Sequence, residues 1–192
     1  MIEQFVDTSG WAEWADRTLL FHARAATLFE EVWDKKGRLI TTGLVLLELT
    51  AVRTRPLRMP KMQQIRLLDA LRADPSVQIV PIDLSLEAAA WQLWKSRPDK
   101  EWSLVDCSSF IVMQQRGLTE ALTTDHHFEQ AGFVRLLKWP VQRNLSMHGI
   151  LNERKESDVS ACVHHSFCRR CVAQHWGDRC PTLHHTPPLT RV

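Results

Sequence analysis

Glu3-Gln4-Phe5-Val6-Asp7-Thr8-Ser9 is a short strand that stops on a carboxylate and runs at once into residues suited to start a helix. An isolated ionised carboxylate is expensive to bury, so an acid at the edge of a core asks for a positive partner. Three more acids raise the same demand. Glu48 interrupts Leu44-Val45-Leu46-Leu47-Glu48-Leu49, Asp106 lies in Leu104-Val105-Asp106-Cys107, and Asp125 ends Leu122-Thr123-Thr124-Asp125. A hard divalent metal ion is the partner that would hold such a set together.

Outward from this stretch, strands alternate with helices. Ser9 or Thr8 is positioned to cap a helix in which Trp11, Trp14, Leu19, Leu20, Ala23, Leu28 and Phe29 recur at helical spacing, ending at Lys35-Lys36-Gly37-Arg38. Leu39-Ile40-Thr41 reads as a second strand, and Thr42 as the cap of a helix from Leu44 to about Val52. A helix from Lys61 to about Ala73 follows, with Ile65, Leu68 and Leu71 on one face, then a strand over Val77 to Ile82. Leu84 to Trp94 is helical, and so is the segment from Asp106, in a first turn, to Gly117. Glu120 to Thr124 and Val134 to Leu137 complete the strands. The pattern predicts an α/β fold, a three-layer α/β/α sandwich on a mainly parallel sheet. Ligands in such sheets gather at the carboxyl ends of the strands. Asp7 and Asp125 each close a strand, and Glu48 and Asp106 lie near helix starts.

The 192 residues are 44% hydrophobic and 24% charged, ordinary for a globular domain with one core. No apolar run approaches the roughly 20 residues of a membrane span. Met1-Ile2-Glu3-Gln4 lacks the basic start of a secretory signal, so no membrane partner and a cytoplasmic location are expected. Residues 1–139 carry 17 Lys+Arg against 18 Asp+Glu, and residues 140–192 carry 7 against 4. A near-neutral body gives no broad footprint for nucleic acid, and charge alone names no substrate. Cys107 is the single cysteine of residues 1–139 and reads as a small core residue in a reducing compartment.

Together, Phe5-Val6-Asp7-Thr8-Ser9, Leu47-Glu48-Leu49, Ser103 through Phe110, and Thr123-Thr124-Asp125-His126-His127-Phe128 with Gly132-Phe133 resemble a PIN domain, most of all the VapC-like ribonuclease toxins. The resemblance covers residues 1–139 and rests on order, spacing and flanking residues together. It implies an α/β/α fold whose acidic cluster binds Mg²⁺ or Mn²⁺ and cuts RNA. It implies Asp7, Glu48, Asp106 and Asp125 as metal-binding, catalytic carboxylates, with Thr124 as a hydroxyl that orients a water or phosphate. A small antitoxin protein and a homodimer are the implied protein partners. Mg²⁺ suits this donor set because it takes oxygen ligands and keeps several waters. A bound metal lowers the pKa of its water, and two ions about 4 Å apart clamp attacking and leaving oxygens.

Plainer roles exist for each residue. Asp7 can cap the next helix, Asp106 can sit in a first turn for the helix dipole, and Glu48 can belong to a solvated stripe. His126 and His127 are read as surface or substrate-proximal residues without a catalytic task. Arg53, Arg55, Arg58, Lys61 and Arg66 form a basic run read as a solvated face, and Trp91 and Trp94 are read as core or dimer-contact residues.

Residues 140–192 lose apolar periodicity and are read as an irregular, disordered Cys/His-rich tail. Cys168-Arg169-Arg170-Cys171 has the spacing by which two thiolates grip one Zn²⁺, with Cys162, His175 or Cys180 able to complete a site. The alternative is an extension from an altered reading frame without selected function. For the chain as a whole, the reading is a Mg²⁺-dependent endoribonuclease, the toxin of a type II toxin-antitoxin pair. The alternatives are a non-cleaving PIN-like RNA-binding or scaffold protein and a nuclease acting on DNA.

Overall fold

Parallel strands cannot be joined by tight turns, so each strand-to-strand step must cross the sheet through helices. The computed structural model, which describes residues 2–51 and 60–139, follows that rule throughout. Strands β1 (Glu3–Val6), β2 (Arg38–Thr42), β3 (Val77–Val80), β4 (Glu120–Leu122) and β5 (Val134–Arg135) form one sheet in the order β3-β2-β1-β4-β5. Every neighbouring pair is parallel, so the sheet is wholly and not mainly so among the described residues.

The crossovers carry α1 (Thr8–Ala15) and α2 (His22–Asp34), then α3 (Gly43–Ala51) and α4 (Lys61–Ala73), then α5 (Leu84–Ser96) and α6 (Leu104–Arg116). A short α7 (His127–Gln130) joins β4 to β5. The chain steps outward from β1 to β3 and then returns across the sheet to β4. Right-handed crossovers put α1 and α2 on one face and α5 and α6 on the other, and α3 packs against both α1 and α6. The strand order reverses between β1 and β4, the switch point at which ligands bind in sheets of this kind.

Phe5, Val6, Leu39, Ile40, Ala121 and Leu122 are wholly buried in the strands. Trp11 meets Phe29 edge-on at 5.2 Å between ring centroids on one face, and Phe110 meets Phe128 at 5.0 Å on the other. Trp11 Nε1 also donates to Thr41 Oγ1 at 3.2 Å, and that hydroxyl donates to the Val6 carbonyl at 2.9 Å. This chain of bonds ties α1 across β2 to β1. A Cβ on Gly10 would lie 2.0 Å from the Leu122 carbonyl oxygen, so only glycine lets α1 come this close to β4.

Several expectations change. The long first helix is two helices, because Asp16 is extended and its Oδ1 accepts the Thr18 backbone N–H at 2.9 Å and hydroxyl at 2.7 Å, closing a local turn. Leu20 in that break is exposed. Asp7 caps α1 in place of Thr8 or Ser9. The buried face of α4 is carried by Leu67 and Leu71, and Ile65 is exposed. Trp91 and Trp94 are 45% and 41% exposed, so neither is a core residue. Of the basic run, Lys61 and Arg66 are exposed on α4, while Arg53, Arg55 and Arg58 lie outside the described residues. The Cys/His-rich tail, with Cys162, Cys168, Cys171 and Cys180, also lies outside them. No helix among the described residues is long and apolar enough to cross a membrane.

Candidate metal centre

Asp7 leaves β1 where its backbone N–H still donates to the Leu122 carbonyl at 3.2 Å, so the ends of β1 and β4 stay paired up to the acid. Its Oδ2 gathers donors: the Ser9 hydroxyl at 3.1 Å, the Thr123 hydroxyl at 3.0 Å and, more weakly, the Ser9 backbone N–H at 3.4 Å. Both hydroxyls accept in turn, Ser9 Oγ from the Thr124 N–H and Thr123 Oγ1 from the Asp125 N–H, each at 2.9 Å. With both hydroxyl protons committed to Asp7, the 3.0 Å contact between Ser9 Oγ and Thr123 Oγ1 carries no hydrogen of its own.

The remaining acids join the same edge. Thr8, next to Asp7, donates its hydroxyl to Glu48 Oε2 at 2.5 Å, bringing α3 to the start of α1. Asp106 is the fourth residue of a capping box: its Oδ2 accepts the Ser103 N–H at 2.7 Å, and its own N–H donates to Ser103 Oγ at 3.0 Å. His127 Nδ1 lies 3.7 Å from Asp106 Oδ2 and 3.3 Å from Asp125 Oδ2, spanning α6 and the loop after β4. Arg135 on β5 holds that loop from behind, donating to the Thr124 carbonyl at 2.8 Å and pairing with Glu129 at 3.3 Å.

The electrostatics fit an assembled cluster. Burial pushes the Asp7 carboxyl up to about 6 from an ordinary 3.8, and the like charges of Asp106 and Glu48 add to the rise. Hydrogen bonds from the Thr8 backbone and the Thr123 hydroxyl pull the other way. Asp106 is also raised, first by burial and then by Asp125, against hydrogen bonds from Ser103 and the pull of His127. Among the described residues no lysine or arginine forms an ion pair with any of the four acids. The donors are hard oxygens, and two of the carboxylates are buried and electrostatically strained, so the set suits a hard divalent cation.

All four acids read from the sequence thus meet at the switch point. The helix-cap readings of Asp7 and Asp106 hold at the same time, since a capping carboxylate at a crevice still offers oxygen to the crevice. Thr124 gives the network its backbone N–H and carbonyl, and the hydroxyl that reaches Asp7 belongs to Thr123. From the sequence Ser9 reads only as a helix cap, and Thr123 carries no role of its own. The signal for them was there: a hydroxyl two residues after one acid and another two residues before a second. His127, read as a surface or substrate-proximal residue, is largely buried between two carboxylates.

Comparison with known proteins agrees with this architecture. The PIN domain model matches residues 5–134. The chain is 31% identical over 133 residues to the 23S rRNA-specific endonuclease VapC20 of Mycobacterium tuberculosis, in strains CDC 1551 / Oshkosh and ATCC 25618 / H37Rv; the match spans 69% of this chain and 96% of the relative. The crystal structure of Mycobacterium tuberculosis VapC20, described as a Sarcin-Ricin loop cleaving toxin, superposes with a TM-score of 0.57 at 30% identity, covering 68% of this chain and 95% of that one. Matched by the family model over residues 5–134 and 31% identical to a VapC relative across nearly all of that protein, the chain belongs to the PIN domain family as a VapC-like member.

Proposed function

We propose that the chain is a divalent-metal-dependent endoribonuclease and the toxin of a type II toxin-antitoxin pair, with Asp7, Glu48, Asp106 and Asp125 as its metal-binding carboxylates. The observation that carries the reading is the convergence of these acids, two of them with raised pKa, beyond the carboxyl ends of β1 and β4. Membership of a nuclease family and likeness to an rRNA endonuclease support RNA as substrate.

A bound Mg²⁺ or Mn²⁺ would supply a water acidic enough to attack a phosphodiester and a positive charge to neutralise the phosphate. The chain's own residues prepare the place. Ser9 and Thr123 fix Asp7 through Oδ2, Ser103 fixes Asp106, and Thr8 fixes Glu48, so the carboxylates are oriented before any ligand arrives. At neutral pH Asp7 is ionised even with its pKa near 6. Thr124 is proposed to act at the phosphate side of the site, where its side chain is only half-buried.

An exposed loop of ribosomal RNA is the proposed substrate class, by likeness to the relative whose description names the sarcin–ricin loop. A small antitoxin covering the acidic edge, a homodimer and a cytoplasmic location, where such RNA resides, complete the proposal. Incubation with matched RNA and DNA oligonucleotides, including a sarcin–ricin loop hairpin, in Mg²⁺ or Mn²⁺ tests it. RNA cleavage that disappears with chelator and in Asp106→Asn is expected. DNA cleavage alone, or undiminished RNA cleavage by the variant, would overturn it.

A further inference from the structure

Beside the all-oxygen cluster lies a group of different chemistry. Asp125, His126 and His127 bring ligand atoms within 4.8 Å of one another. His126 Nδ1 is 3.5 Å from Asp125 Oδ1, and His127 Nδ1 is 3.3 Å from Asp125 Oδ2. A tetrahedral Zn²⁺ with bonds of about 2.0–2.2 Å to nitrogen and oxygen sets its ligand atoms roughly 3.3–3.5 Å apart. The two nitrogen-to-oxygen spacings, one to each oxygen of Asp125, have that length, so a small side-chain adjustment would set the group around one ion.

A second observation points to a ligand. His127 Nδ1 is buried and makes no hydrogen bond, although it stands within ion-pair reach of both Asp125 and Asp106. A buried ring nitrogen is costly to leave unmatched, and a lone pair directed at a cation resolves it. The group is also held in place: the His127 backbone N–H donates to Asp125 Oδ1 at 2.9 Å, and the two imidazoles lie 4.4 Å apart between centroids.

We propose that Asp125, His126 and His127, with Asp106 at the rim, form a site for a borderline divalent transition ion, Zn²⁺ being the test case. Imidazole donors favour such ions, whereas the neighbouring carboxylates alone favour Mg²⁺ or Mn²⁺. The two positions share Asp125, so occupancy of one alters the other. Zn²⁺ binding needs only these donors and is independent of whether RNA is cut.

The test is calorimetric titration of the full-length chain with Zn²⁺ and, separately, Mg²⁺, with Cys162, Cys168, Cys171 and Cys180 changed to Ser so that tail thiolates do not compete. Stoichiometric Zn²⁺ binding is expected, weakened about tenfold or more by His127→Ala and by His126→Ala, with Mg²⁺ affinity changed much less by either. His126 is mostly exposed, so its variant keeps the fold even if His127→Ala does not. Co²⁺ gives a second readout, an intense visible spectrum of a four-coordinate N/O site that both variants abolish. Absence of Zn²⁺ binding, binding unaffected by either histidine change, or an equal loss of Mg²⁺ affinity would overturn the proposal.

Discussion

Thr123 donates its hydroxyl to Oδ2 of Asp7 at 3.0 Å, and the same hydroxyl oxygen accepts the Asp125 N–H at 2.9 Å. One side chain thus ties the acid after β1 to the acid after β4. Thr123→Val keeps the shape and removes both bonds, leaving a buried carboxylate oxygen and an N–H short of partners. A loss of about 1–3 kcal/mol in urea unfolding is expected, with divalent affinity down roughly 10–100-fold. Thr124→Val is the companion variant: its unfolding midpoint should stay at the parent value, while cleavage falls if its hydroxyl acts at the phosphate. Unchanged cleavage would remove Thr124 from the site.

The metal-free protein should lose stability as the solution becomes less acidic. The Asp7 carboxyl has its pKa raised to about 6 when folded, against 3.8 ordinarily, so the folded state holds a proton that the unfolded state has released. The contribution of Asp7 is therefore full below about pH 4 and is lost as the pH rises through 6, by roughly 3 kcal/mol for a two-unit shift. Asp106, also raised, acts in the same sense. Asp7→Asn keeps a good helix cap and should flatten the profile and raise the metal-free melting temperature at pH 7. It should also abolish the rise in melting temperature on adding Mn²⁺. A variant whose pH profile matches the parent's would remove Asp7 as the source.

Gly10→Ala should be among the most damaging small substitutions in the molecule. The added methyl would press on the Leu122 carbonyl at 2.0 Å, and that carbonyl also accepts the Asp7 N–H. A loss of about 1–3 kcal/mol or more is expected from overpacking, read by chemical denaturation. Cleavage should fall further than stability predicts, since the displaced backbone carries Asp7. Ala12→Gly on the same helix is a control that weakens the helix without displacing this contact.

Cys107 should be inert in the native protein. It is wholly buried, and burial, with Asp106 adjacent, pushes its thiol up to about 11. In the background lacking the four tail cysteines, alkylation at pH 8 should proceed only as fast as the domain opens and be slowed further by bound divalent ion. Rapid labelling without denaturant would show that α6 opens locally.

Much of this was legible because period and punctuation agreed. Gly117 stops α6 at φ 66°, where glycine is favoured, and Thr42 accepts the Val45 N–H as the cap it reads as from the sequence. The break after Ala15 was harder to read, since the apolar spacing continues through Leu19 and Leu20 while a side-chain turn at Asp16 overrides it. The acids of the site stood out because charge in an apolar run is conspicuous. The hydroxyls did not, because Ser and Thr are common near helix starts and only the pairing of β1 with β4 shows that Ser9 and Thr123 face one carboxylate. Likewise, nothing local to His126-His127 marks one ring as buried and the other as exposed.

The pairing of β1 with β4 also sets a timetable. Val6 sits beside Leu122 in the sheet, so β1, which can pair with β2 early, waits for this second partner until more than a hundred further residues are made. Until then the emerging chain has Asp7, Glu48 and Asp106 but neither the neighbour that orients Asp7 nor the loop that brings Asp125. Non-local parallel pairing is slow to form, and here the acidic edge is complete only once β4 has joined β1.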